Sequence, residues 1–168
     1  MFTILRLIHI VFGVFWVGSV LFTTVVLMPS MRAAGPSGVT VMKELGRRRL
    51  PLIMMGSAIL TVGAGIWLMI ILASDNPGVW MRSSAGRAFS MGGGLAILAL
   101  VLGMVINAPA ARRMSAIGEA VDKRGGPATA EETRQLQQLQ SRLAIASVIV
   151  TVLLLLSTGA MAVARYLP

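Results

Sequence analysis

One histidine, His9, stands in an apolar stretch of this chain that holds no carboxylate, and an ionisable side chain in such a setting is a functional-site candidate by default. Imidazole there can ligate haem iron axially, move a proton or handle a metal. Methionine thioether is a second soft donor, and the chain has 12 methionines. Met69, Met91 and Met161 share one level with His9 if four apolar stretches alternate in direction, and Arg6, Arg82, Arg87 and Arg165 border that level. Such arginines suit the propionates of a porphyrin lying between helices. The candidate cofactor set is therefore His9, Arg6, Arg87, Met69, Met91 and Met161, with His9 on the iron of a haem b. A structural role competes with it, because a neutral histidine near a helix end can hydrogen-bond a neighbouring helix or water.

Met28, Met31, Met54 and Met55 fall close to one level at the other end and offer a copper(I) alternative, although methionine is also a routine filler of apolar packing. The chain has no cysteine, which removes disulfides, thiolate metal sites and iron–sulfur ligation. No Ser-His-acid set, no pair of intramembrane carboxylates and no phosphate loop is present, so no catalytic residue is assigned. The enzymatic route left is redox chemistry on a bound cofactor.

The elements that must position these residues are the uncharged apolar stretches Leu7–Met28, Leu52–Ala73, Ala88–Ala111 and Leu143–Ala164. Each exceeds the roughly 20 residues that cross a hydrocarbon core of about 30 Å. With 56% apolar and 12% charged residues among 168, little remains for a soluble domain, and a single membrane domain is expected over 1–168, with spans of about 4–28, 51–73, 88–109 and 143–165. The first apolar run is too long for a secretory signal and is read as retained.

Orientation follows from charge. Of 15 basic residues, Arg32, Lys43, Arg47, Arg48 and Arg49 lie in the first connection, and Arg112, Arg113, Lys123, Arg124, Arg134 and Arg142 lie in the third. Only Arg6, Arg82, Arg87 and Arg165 fall on the other side, so the positive-inside rule puts 29–50 and 110–142 in the cytoplasm and both termini outside. The net charge of +9 therefore speaks of topology and lipid headgroups, not of nucleic acid, for which no binding pattern is present.

Several local features are expected on the way. His9, Gly13, Trp16, Val20 and Thr23 form the polar stripe of span one, and Ser57, Thr61 and Gly65 a small-residue face of span two. Gly92, Ala96, Ala99, Gly103 and Asn107 in span three should pair with Ala144, Ser147, Thr151, Thr158 and Ala162 in span four. Val39–Leu45 reads as a short helix capped by Ser37 or Thr40, and Pro109 as a kink or end of span three before a helix over 111–123. Thr129 and Glu132 form a capping box that starts a helix of about 35 residues running into span four. Its edge of Leu136, Leu139 and Leu143 packs either on the 111–123 helix or on a partner.

The run Leu7-Ile8-His9-Ile10, then Phe15-Trp16-Val17-Gly18, Phe22 and Pro29, resembles the opening helix of a group of small bacterial membrane proteins. That group includes copper-resistance protein D, the HemJ-type protoporphyrinogen oxidases and four-span families of unassigned function. Gly86-Arg87 and Asn107-Ala108-Pro109 to Arg113 are similar to the unassigned families. For the HemJ type the resemblance implies a four-helix bundle that binds haem at a histidine matching His9 and oxidises a porphyrinogen. Those oxidases carry a lysine inside a later span, where this chain has no charge between Arg87 and Arg112, so the unassigned families are the closer match.

The expected molecule is all-α, an antiparallel transmembrane four-helix bundle of a bacterial inner membrane, more a binding protein than an enzyme, with haem or another porphyrin near His9. The other readings are a copper-handling permease, a haem-dependent membrane oxidoreductase, and a structural subunit of a larger complex. The lipid bilayer is the expected partner, alongside membrane proteins or further copies of the chain.

Overall fold

The structure, a computed structural model, describes residues 1–167 and is all-helical over them, without a strand. Four helices are long and apolar enough to cross a membrane: α1 (Phe2–Ala33), α3 (Leu50–Leu72), α5 (Ser84–Arg124) and α6 (Ala130–Ala164). Two shorter helices, α2 (Pro36–Arg47) and α4 (Pro77–Arg82), occupy the first two connections. Even α6, the most enclosed, has only 33% of its apolar window buried. The remaining apolar side chains point outward, the reverse of a water-soluble bundle and the arrangement expected of a multi-pass membrane protein.

The helices associate as two pairs, α1 with α3 and α5 with α6. Close backbone approach explains both. In the first pair Gly13 lies beside the Thr61 side chain and Gly65 beside the His9 ring. In the second, Gly92 lies against the Ser157 backbone and the Met161 side chain, and the Ser157 hydroxyl donates to the Gly92 carbonyl at 2.7 Å. One core layer joins the pairs, built from Trp16, Ala58, Ala99, Val150 and Leu154, with every long helix contributing. Small residues at this layer let backbones approach, so dispersion contact rather than water exclusion holds it. Between pairs, the Thr151 hydroxyl donates to Ser147 in its own helix and stands 3.2 Å from the Thr24 hydroxyl of α1.

Of the two expectations for Pro109, a kink or an end of span three, the second is corrected: the helix does not end there. Helix α5 runs on to Arg124 through a π-helical turn at Gly103–Asn107. A proline lacks the N–H that would bond residue i−4, and its ring crowds that carbonyl. Residue i−4 is Val105, the middle of the widened turn, so the π geometry absorbs the defect without ending the helix. Helix α1 does the same: Pro29 follows a π turn at Thr23–Leu27 whose centre is Val25. Both π turns sit at the same offset from their proline, at the same end of the bundle.

Two further expectations change. Helix α2 starts at Pro36 rather than Val39, and its cap is Gly35 at φ 56°, not Ser37 or Thr40. A positive-φ glycine followed by a φ-locked proline sets the entry without a capping side chain. In α6 the buried face is Ala146, Val150, Thr151, Leu154, Ser157, Ala160 and Ala164, so of the expected stripe only Thr151 is buried and Thr158 and Ala162 are exposed. The Thr158 hydroxyl is satisfied by the Leu154 carbonyl one turn back at 2.8 Å, which frees that face for lipid.

Other readings hold. Ser57 and Thr61 are buried on α3, and Gly92, Ala96 and Ala99 on α5. Thr129 caps α6 in a reciprocal box with Glu132, and α6 is 35 residues long. Leu136 and Leu139 are half-buried, and Leu139 faces Ile117 of α5, the intramolecular alternative.

Candidate functional site

His9 lies two turns into α1, half-buried, with its ring over the bare backbone of Gly65 on α3. A Cβ at Gly65 would come within 2.8 Å of the ring Cε1 and 2.9 Å of Nδ1, so glycine is what admits the imidazole. Nδ1 is 2.8 Å from the Thr61 carbonyl oxygen. A carbonyl only accepts, so Nδ1 carries the proton, and a neutral ring then presents its lone pair at Nε2. Thr61 O is also the helical acceptor for residue 65, and its second lone pair takes the histidine. The Thr61 hydroxyl bonds back to Ser57 O at 2.7 Å and does not compete for the ring.

The shared core layer fixes depth. His9, Gly65, Gly92 and Ser157 each lie seven residues from Trp16, Ala58, Ala99 and Val150 respectively, about 10 Å along each helix towards the terminal end. His9, the Gly92 notch and Met161 thus share a level. Met69 lies one turn beyond Gly65 and is half-buried, whereas Met91 is 60% exposed and faces away from the helix pairs. Met161 packs on Gly92 in the second helix pair, while His9 bonds within the first. Among the described residues, none of the three methionines shares a hydrogen bond with the ring.

Arg6 stands one turn beyond His9, and Arg87 five residues beyond Gly92, both exposed. Among the described residues neither has a carboxylate within 4.0 Å, so both remain available to an anionic group. Ser90, two residues from Gly92, has a buried hydroxyl with no hydrogen-bond partner among the described residues. This level thus offers one oriented ring nitrogen, one hydroxyl without a partner among the described residues, and two arginines without a carboxylate towards the same end. A ring nitrogen held by a backbone carbonyl is the orientation that ligating histidines use, and both glycine notches are filled, Gly65 by the ring itself and Gly92 by Met161.

Met28, Met31, Met54 and Met55 lie at the other end of the bundle and cannot join a site with His9. Met31 is buried, the other three are half-buried, and α2 presses Gly38 against the Met31 carbonyl. Among the described residues no three His, Asp or Glu side chains gather as metal ligands.

Thr61 and Gly65 escaped sequence reasoning as partners of His9. The available signal was the small-residue face of α3, since a ring needs such a face to dock. No family model, curated protein or solved structure matches the chain.

Proposed function

We propose that this chain is an antiparallel four-helix bundle of a bacterial inner membrane that holds haem or another porphyrin through His9, with both termini outside and 29–50 and 110–142 in the cytoplasm. The observation that carries the ligand is the His9 Nδ1 bond to the Thr61 carbonyl, which fixes the tautomer, while Nε2 has no hydrogen-bond partner among the described residues. Metal-binding histidines nearly always donate their other N–H in this way. The 11-to-4 imbalance of basic residues supports the orientation. The resemblance of the first span supports a place among the unassigned four-span relatives of copper-resistance protein D and the HemJ-type proteins.

Bound haem would supply redox or ligand-binding chemistry at its iron. The chain's own residues bind and orient. Thr61 holds the imidazole plane, Gly65 makes room for it, and Arg6 and Arg87 pair with acidic substituents near the outer interface. The apolar side chains around them exclude water. No carboxylate lies in the apolar stretches to move protons beside His9, which favours binding over catalysis.

An absorption spectrum of the protein purified in mild detergent tests this directly. A Soret band that is lost in His9→Ala is expected. Absence of the band, or its survival in that variant, removes His9 as the iron ligand.

A further inference from the structure

At the inner end of the α5–α6 pair, two adjoining hollows share one wall residue, Arg142. One, of about 230 Å³, is apolar, lined by Leu102, Ile106, Ile145 and Ile149 together with Arg142. The other, of about 360 Å³, is mixed: Ala116, Ile117 and Leu139 line it together with Arg113, Arg142, Gln135 and Gln138. Arg142 immediately precedes the apolar run that starts at Leu143, and Arg113 follows the run that ends at Ala111. The boundary between hydrocarbon and headgroup therefore falls where the hollows meet.

We infer that this groove binds an anionic phospholipid of the inner leaflet, its phosphate between Arg113 and Arg142 and the upper part of one acyl chain along Ile106, Ile145 and Ile149. Charge complementarity commits the occupant. No acidic residue lines either hollow, and among the described residues neither arginine has a carboxylate within 4.0 Å. By contrast Lys43, Arg47, Arg48 and Arg124 are all paired with acids. Gln135 and Gln138 add amide donors for phosphate or glycerol oxygens. The apolar hollow rules out a purely electrostatic anchor, because a headgroup alone would leave it empty. The π turn at Gly103–Asn107 lies in this stretch of α5 and supplies Ile106 to the wall. Basic pockets between membrane helices at the cytoplasmic side are a recurring way to hold anionic headgroups.

The inference rests on the membrane-spanning reading above and is independent of haem. Protein extracted in mild detergent is stripped of lipid, then offered phosphatidylglycerol or phosphatidylcholine of the same chain length, and retained lipid is counted by native mass spectrometry. Preferential retention of phosphatidylglycerol is expected, falling roughly fivefold for each of Arg113→Gln and Arg142→Gln. Arg47→Gln with Arg48→Gln, which removes twice the charge of either single variant from the same side, should leave the preference intact. Equal retention of the two lipids by the wild-type protein overturns the site and needs no variant to fold. An equal loss in the Arg47 and Arg48 variant also overturns it, showing diffuse surface attraction. Inorganic phosphate that displaces phosphatidylglycerol at millimolar concentration would show a free-anion site and likewise overturn the lipid. A chain that needs no detergent to stay in solution fails the membrane reading instead, before any lipid is offered.

Discussion

A glycine decides whether the His9 ring can sit where it does. At Gly65 an added methyl group would lie 2.8 Å from Cε1 and 2.9 Å from Nδ1, closer than real Cβ contacts come. Gly63, half a turn away on the same helix, has nothing within 4 Å of the same position. Opposite signs follow for one chemical change. Gly65→Ala should displace the ring, break its bond to Thr61 and cost about 1–3 kcal/mol in reversible unfolding in detergent. Gly63→Ala should be neutral or stabilise by up to about 1 kcal/mol through helix propensity. Equal effects would mean that the ring does not rest on Gly65. The histidine itself is legible in the sequence, since a lone ionisable group in an apolar run stands out. Its partner is not, because the acceptor is a backbone carbonyl, which every residue has, and only the glycine notch shows which one is used.

The elements show where one-dimensional reading succeeds. The ends of α6 are legible because a capping box is a local device, and Thr129 and Glu132 lie three residues apart. The π turns are not, because proline signals a defect in a helix without saying whether the chain stops or widens. The buried face of α6 is not legible from its hydroxyls either, because Thr158 satisfies its own within the helix and needs no neighbour. The capping box also carries a pH dependence outside the apolar segments. Arg124 donates to Glu132 at 2.7 Å and the Thr129 amide donates to the same carboxylate, and these hold its pKa down from 4.5 to about 2, the arginine contributing most. A depressed carboxylate stabilises the folded cap fully above its unfolded pKa, and that stabilisation is lost as pH falls from about 4.5 through about 2. The Thr129 amide resonance, followed by NMR against pH, should therefore titrate with a midpoint near 2 in the wild-type protein. In Arg124→Gln the midpoint should rise towards the ordinary value. A wild-type midpoint above 4 would show that the clamp does not form.

For the whole molecule, the question is which way the two helix pairs face. The pairs share the core layer around Trp16 and Leu154, and their ends nearest the two π turns are tied by Lys43 to Asp122 at 2.6 Å, an exposed link worth about 0.2–1 kcal/mol. So weak a tie cannot orient the bundle. The basic residues can, because Lys and Arg in short connections resist translocation, and the two π turns, the lipid groove and 11 of 15 basic residues all lie at one end. The absence of cysteine makes this testable without any background signal. Ser74→Cys, exposed between α3 and α4, should react with a membrane-impermeant maleimide on intact cells. Ser115→Cys, exposed on the extension of α5 beyond Pro109, should react only after lysis. The reverse pattern would turn the bundle over and carry His9 to the inner leaflet. Equal labelling on intact cells would remove the membrane from between the two positions, because one barrier cannot stop a reagent at Ser115 and admit it at Ser74 unless the helices joining them cross it.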